Sequence, residues 1–255
     1  MEQSLKNFRN EDRNQQVVST SSSKFIGKVF LYTAIALAIT AITAAIIGII
    51  FSSAISTPDY STFTIDVDKI QPYIYLLIGS VIAYIPLIIW IHIVGFRGRG
   101  RLDVPFVIYA IVMGVIISSF TMFVPIPVIA ISFGITCVVF GLLSLIGLTA
   151  KKDLSFLGLV AMGIFFGAMF IALFNLIWSL FLPGFQSLYW IVSYAIFFAM
   201  MLITIFDVWR VKKIAQRGEQ TNNVALFCAF NLYVDFIYIF IRVLAIVASI
   251  YGRNR

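Results

Sequence analysis

Four ionisable residues stand inside long apolar stretches of this chain: His92, Asp207, Asp235 and Arg242. A charge at mid-membrane costs about 2.5–3.5 kcal/mol on insertion scales, so such groups face a cavity or a partner. Asp235 lies within Asn231-Leu232-Tyr233-Val234-Asp235-Phe236-Ile237, and Asp207 within Thr204-Ile205-Phe206-Asp207-Val208-Trp209-Arg210. A short connection joins the two segments, which predicts antiparallel neighbouring helices with the carboxyls within hydrogen-bonding reach. Two carboxylates in one low-dielectric site cannot both ionise cheaply, so the pair holds one proton between them. Protonated, it ties two helices together; doubly ionised, it repels or recruits a cation. The expected chemistry is a pH-sensitive latch.

The same residues admit plainer roles. Asp207 alone also fits an interfacial carboxylate paired with Arg210 or Lys213. Arg242, two turns after Asp235, is either its counter-charge or a side chain that snorkels outward. His92, close after Trp90, reads as interfacial rather than catalytic, and a single histidine excludes a multi-histidine metal centre. Cys137 and Cys228 indicate neither a disulfide framework nor a metal site. Gly163-xxx-Gly167 permits close helix packing, and Asn175 fits an interhelical hydrogen bond.

The elements that must position these groups follow from composition. Of 255 residues, 61% are apolar and 11% charged, with a mean hydropathy of +1.02. A soluble domain carries about 25% charged residues, so lipid must be the solvent for much of this surface. The net charge of +7 does not point to nucleic acid, because the basic residues sit in short clusters between apolar runs. A span needs about 20 apolar residues to cross a core about 30 Å thick. Seven stretches qualify, near 29–52, 72–95, 104–124, 126–148, 154–180, 187–209 and 224–250. Pro125 and Pro127 divide the third from the fourth, since proline removes a backbone donor and biases its predecessor away from helix. Pro183-Gly184 marks a further turn.

The loop charges fix the expected orientation. The leader, the 96–103 loop, the 149–153 loop and the 210–223 loop together hold fourteen Lys and Arg, against three on the other side. That asymmetry places the amino terminus in the cytoplasm and the carboxyl terminus outside, and it requires seven crossings. Residues 1–28 read as a polar, Ser-rich, disordered cytoplasmic leader, 29–250 as the transmembrane domain and 251–255 as a short external tail. The first apolar run is too long for a signal peptide and reads as a retained anchor. The 53–71 loop, with Asp59, Asp66 and Asp68, is the one sizeable external segment expected.

Three motifs carry a family resemblance. Lys151-Lys152-Asp153-Leu154-Ser155 resembles the K-x-D-L-S loop before the fifth helix of the transmembrane Bax inhibitor motif family. Phe206-Asp207 resembles that family's aspartate at the end of helix six, and Leu232-Tyr233-Val234-Asp235-Phe236-Ile237 its L-Y-x-D-F-I signature in helix seven. The resemblance covers nearly everything after the leader. It implies an all-α integral membrane fold with six helices wrapped around a central seventh. It further implies a pH-controlled calcium leak in a bacterial plasma membrane, with Asp207 and Asp235 as the sensor. An arginine from helix two is implied as their partner, Arg97 by position, with Arg99 as the alternative in this glycine-alternating loop.

The reading is therefore a passive cation pathway that uses lipid, calcium ions and protons, with no cofactor beyond the permeant ion. An enzyme is not expected: the residues before Asp235 lack the G-x-G-D of intramembrane aspartyl proteases, and His92 alone offers no credible base for a Ser or Cys protease. The alternative is an interaction protein that modulates a membrane protease or the stress and cell-death machinery, with the aspartates merely locking the bundle.

Overall fold

The structure, a computed structural model, describes the backbone of residues 2–51, 55–59, 62–65, 67–97, 101–179, 187–218 and 220–253. Side chains are described within those ranges apart from 2–19, 55–67, 69, 96–97, 122, 174–179 and 187–190. Seven helices follow in order: α1 (Glu2–Phe51), α2 (Val67–Arg97), α3 (Asp103–Phe123), α4 (Ile126–Thr149), α5 (Ser155–Ser179), α6 (Ser187–Arg217) and α7 (Asn222–Arg253). All seven contain a segment long and apolar enough to cross a bilayer. In hydrocarbon each backbone N–H and C=O must find its partner within the protein, which is why these runs fold as helices.

The boundary between α3 and α4 follows the prolines. Val124 is extended (φ −115°, ψ 128°) and its N–H still donates to the Phe120 carbonyl. The Pro125 carbonyl then accepts from Val128 and Ile129, at 2.9 and 3.2 Å, and opens the next helix. The turn at Pro183-Gly184 lies outside the described residues.

Three boundaries differ from expectation. Helix α1 begins at Glu2, well ahead of the apolar run that starts near residue 29. Its Ser-rich stretch stays helical where Ser22 is buried and donates to the Ala215 carbonyl at 3.0 Å, and Phe25 is buried one turn on. The 53–71 loop contains a short antiparallel hairpin, β1 (Ile55–Asp59) and β2 (Thr62–Ile65), with Ile55 opposite Ile65. Finally, α6 runs on to Arg217, because Val211 and Ala215 beyond the apolar run are themselves buried.

The chain divides into two compact units, and α7 contributes to both. It is also the most buried helix: 67% of its apolar span is buried, against 50% or less for every other span.

In the unit built from 23–131 and 219–233, small residues and hydroxyls bring helices together. A Cβ on Gly114 would stand 2.6 Å from Thr43 Cβ and 2.8 Å from the Thr40 carbonyl, so α3 crosses α1 through a glycine. Thr40 gives its one hydroxyl proton to the Ala110 carbonyl at 2.9 Å. Tyr233 must therefore be the donor in its 2.6 Å bond with Thr40. That chain of bonds joins α7, α1 and α3. Tyr109 and Phe230 pack edge-to-face beside it, with ring centroids 5.0 Å apart.

In the unit built from 1–22, 132–218 and 234–255, α4, α6 and α7 meet. A Cβ on Gly147 would lie 2.7 Å from the Ile205 carbonyl and 2.9 Å from Val208 Cβ. Farther on, Lys212 Nζ donates to the Ala150 carbonyl at 3.0 Å. Partners that advance together along both chains make α4 and α6 parallel. Phe133 packs on Phe236 and Phe240, whereas Phe140 packs on Phe236, which makes α4 and α7 antiparallel.

Candidate functional site: a carboxylate pair on α6 and α7

Asp235 stands 13 residues into α7, roughly 20 Å along a helix that rises about 1.5 Å per residue. It is only 3% exposed, walled by Phe236, Leu232 and Ile239 of its own helix. Asp207 on α6 is half-buried. Since α6 continues to Arg217, Asp207 lies about 15 Å from the helix end rather than at it, as the shorter span implied.

The two carboxyls are brought together: Asp207 is the charged group acting on Asp235. Thr204 is fully buried, one turn before Asp207 on the same face of α6. Its hydroxyl is in hydrogen-bonding contact with the Asp235 carboxyl and also donates to the Met200 carbonyl at 2.8 Å. The second oxygen of Asp235, Oδ2, is buried with no hydrogen-bond partner at all. Nearly all buried polar atoms are paired, and an exception calls for an explanation such as a bound ion or water.

Of the neighbouring cations, the two lysines are engaged elsewhere. Arg210 is the cation acting on Asp207, yet among the described residues Asp207 makes no salt bridge. Lys213 sits over the Trp209 ring at 5.4 Å, and Lys212 is held by Ala150. The solvated ion pair of Asp207 with Arg210 or Lys213 is therefore not formed. Arg242 is half-buried and makes no salt bridge with Asp235. Arg97 is the last residue of α2 and its side chain is not among those described; Arg99 lies outside the described residues.

The remaining sequence candidates resolve simply. His92 Nδ1 lies 2.9 Å from its own helix's Ile88 carbonyl, and its ring packs edge-on against Phe227 and Phe230. Gly163 and Gly167 do not mediate close packing: both are exposed, and a Cβ on either would meet nothing within 4 Å. The buried face of α5 is instead marked by Ala161 and Ala168, and its close approach to α6 is at Gly158, beside Phe206. The side chain of Asn175 is not among those described. Among the described residues no three His, Cys, Asp or Glu cluster to hold a metal. Any cation at the pair must complete its shell with neutral oxygens. Sequence reasoning missed Thr204 as a neighbour of the carboxyls, although its spacing three residues before Asp207 already puts both on one helix face.

Seven helices long and apolar enough to cross a bilayer, with one buried and one half-buried carboxyl on the last two, define a polytopic membrane protein. The chain belongs to the Bax1-I family, described as "Inhibitor of apoptosis-promoting Bax1", whose model matches residues 22–252. It is 28% identical over 185 residues to "Inner membrane protein YbhL" of Escherichia coli K12, covering 70% of this chain and 75% of that one. It is also 27% identical over 251 residues to "Uncharacterized protein RP147" of Rickettsia prowazekii, covering 90% and 94%. The protein is thus a multi-pass integral membrane protein with inner-membrane relatives.

Proposed function

We propose that the protein is a passive, pH-sensitive leak for calcium, gated by Asp207 and Asp235. The observation that carries this reading is the unpartnered Oδ2 of a nearly fully buried Asp235 with a second carboxyl beside it. A buried charge pair that served only to lock the bundle would have its hydrogen bonds filled. With one proton shared, the pair joins α6 to α7. With both carboxyls ionised, like charges in low dielectric repel unless a cation enters between them. Two carboxylates with a few neutral oxygens fall short of a tight calcium site, which suits permeation better than storage.

The amino terminus lies in the cytoplasm on this reading, supported by the charge asymmetry of the loops. The counter-charge is an arginine at the end of α2, Arg97 or Arg99, which rests on the family resemblance. No cofactor and no catalytic residue take part. The test is calcium flux into liposomes containing the purified protein, measured across pH. A flux that changes with pH is expected; liposomes that stay calcium-tight at every pH would reject the leak. The family description favours a second reading, a modulator of another membrane protein. Protein that conducts nothing yet co-purifies with a membrane partner would select it.

A further inference from the structure

The carboxylate site has a third wall, and it carries an unused hydroxyl. Ser144 on α4 is 5% exposed, and its Oγ is buried without a hydrogen-bond partner. This is unusual for a helical hydroxyl in this protein. Ser80, Ser118, Thr136 and Thr204 each donate back to a carbonyl one turn earlier in their own helix. In apolar surroundings that back-bond is the default way to satisfy the group. Ser144 forgoes it, so its hydroxyl faces away from its own backbone.

Two independent contacts fix its height in the bundle. Gly147 touches α6 at Ile205 and Val208. Ser144 precedes it by three residues, about 4.5 Å, and α4 and α6 are parallel. Ser144 therefore lies opposite residues near Thr204. Phe140 touches α7 at Phe236, and α4 and α7 are antiparallel. Four residues on from Phe140, Ser144 lies within about one turn of Asp235 on its α7 side. Phe140, Ser144 and Gly147 follow the spacing i, i+4, i+7 and form one buried face of α4. That face is the one turned to α6 and α7. The two buried, unpartnered side-chain oxygens among the described residues, Ser144 Oγ and Asp235 Oδ2, thus share one level of the same unit.

We propose that Ser144 Oγ is a neutral ligand of a divalent-cation site completed by the Asp207 and Asp235 carboxylates, and that it sets the affinity of that site. A hard cation prefers oxygen donors and accepts hydroxyl oxygens alongside carboxylates. The hydroxyl proton points away from the cation, and a lone pair points toward it. No bond is made or broken beyond coordination. The inference rests on the leak reading only for the choice of calcium as the cargo.

The test is equilibrium binding of radioactive calcium to the full chain in lipid nanodiscs at one fixed pH, with liposome flux measured in parallel. Ser144→Ala is expected to bind calcium about tenfold more weakly, the size of loss typical when a supporting group is removed from a metal site. Ser144→Thr, which keeps the hydroxyl, should bind within about twofold of the parent. Removing an orphaned hydroxyl should leave calcium-free melting unchanged or raised. Ser144→Cys serves as the second variant should the alanine protein fail to fold, because soft sulfur is a poor ligand for a hard cation. Ser144→Ala or Ser144→Cys that binds calcium as the parent does would overturn the inference. A parent protein that binds no calcium up to roughly millimolar concentrations would overturn it too. Binding that depends on Ser144 in a protein whose liposomes pass no calcium would uphold the site and reject the leak.

Discussion

Tyr233 and Asp235 stand two residues apart on one helix, both buried, at 0% and 3% exposure, and their surroundings treat them oppositely. The Tyr233 hydroxyl feeds a finished chain: it donates to Thr40, which donates to the Ala110 carbonyl. The Asp235 carboxyl meets Thr204 through one contact and leaves Oδ2 empty-handed. A satisfied polar network in low dielectric specifies which helices meet and in what register. An unsatisfied one is destabilising unless something else occupies it part of the time. The contrast sets a tyrosine built into a finished network against an aspartate left open, as the proposed exchange with protons and cations requires.

The largest stability effects should come where helices cross through glycine. Gly114→Ala and Gly147→Ala each force a methyl against backbone and should destabilise by about 1–3 kcal/mol in detergent unfolding. Gly163→Ala, with open space around it, should stay within about 0.5 kcal/mol of the parent. Equal tolerance at all three would undo the packing account of both units.

Next comes the finished network. Thr40→Val strands the Tyr233 hydroxyl and removes the extra bond to the Ala110 carbonyl, at a cost of about 1–3 kcal/mol. Tyr233→Phe leaves the Thr40–Ala110 bond intact and should cost only about 0.6 kcal/mol, typical of a hydrogen bond inside a membrane bundle. Neither variant should alter how calcium flux varies with pH. A changed pH profile in Tyr233→Phe would mean the architectural network and the exchange site are not separable.

The smallest effect lies outside the bilayer. Asp153 Oδ1 accepts the Ser155 N–H at 2.8 Å at the start of α5. Hydrogen bonds from Ser155 hold its carboxyl below the ordinary value of 3.8. A carboxyl with a lowered folded-state pKa contributes its stability above the unfolded value and loses it as pH falls through the folded one. The small deficit of Asp153→Ala should therefore be constant near neutral pH, begin to shrink as pH falls below about 4, and vanish only once the pH is below the lowered folded-state value. A deficit that persists in acid would show that the cap acts by something other than charge.

Much of this molecule is legible in its sequence, for definable reasons. The spans are set by hydropathy, and the break at Val124 by two prolines, so seven helices follow from local rules. The placement of Asp207 and Asp235 on the last two helices follows as well, because few charges enter the apolar runs. What is not legible depends on tertiary contact. Gly163 and Gly167 have the spacing of a packing motif, but Ala161 and Ala168 mark the other face of α5 as the buried one. The Ser22 bond to the Ala215 carbonyl, 193 residues away, is likewise invisible in the sequence. Ser144 looks like any serine in an apolar helix; only its height against α6 and α7, and its missing back-bond, set it apart.

The central claim is that the carboxylate pair is what senses pH. Its most direct test is the ratio of calcium flux at about pH 6 to that at about pH 8, in liposomes containing the parent, Asp207→Asn or Asp235→Asn. The amide keeps the shape of the side chain and cannot titrate, so the ratio should collapse to about 1 in both variants while it departs from 1 in the parent. Flux that keeps its full pH dependence in both variants would contradict the account.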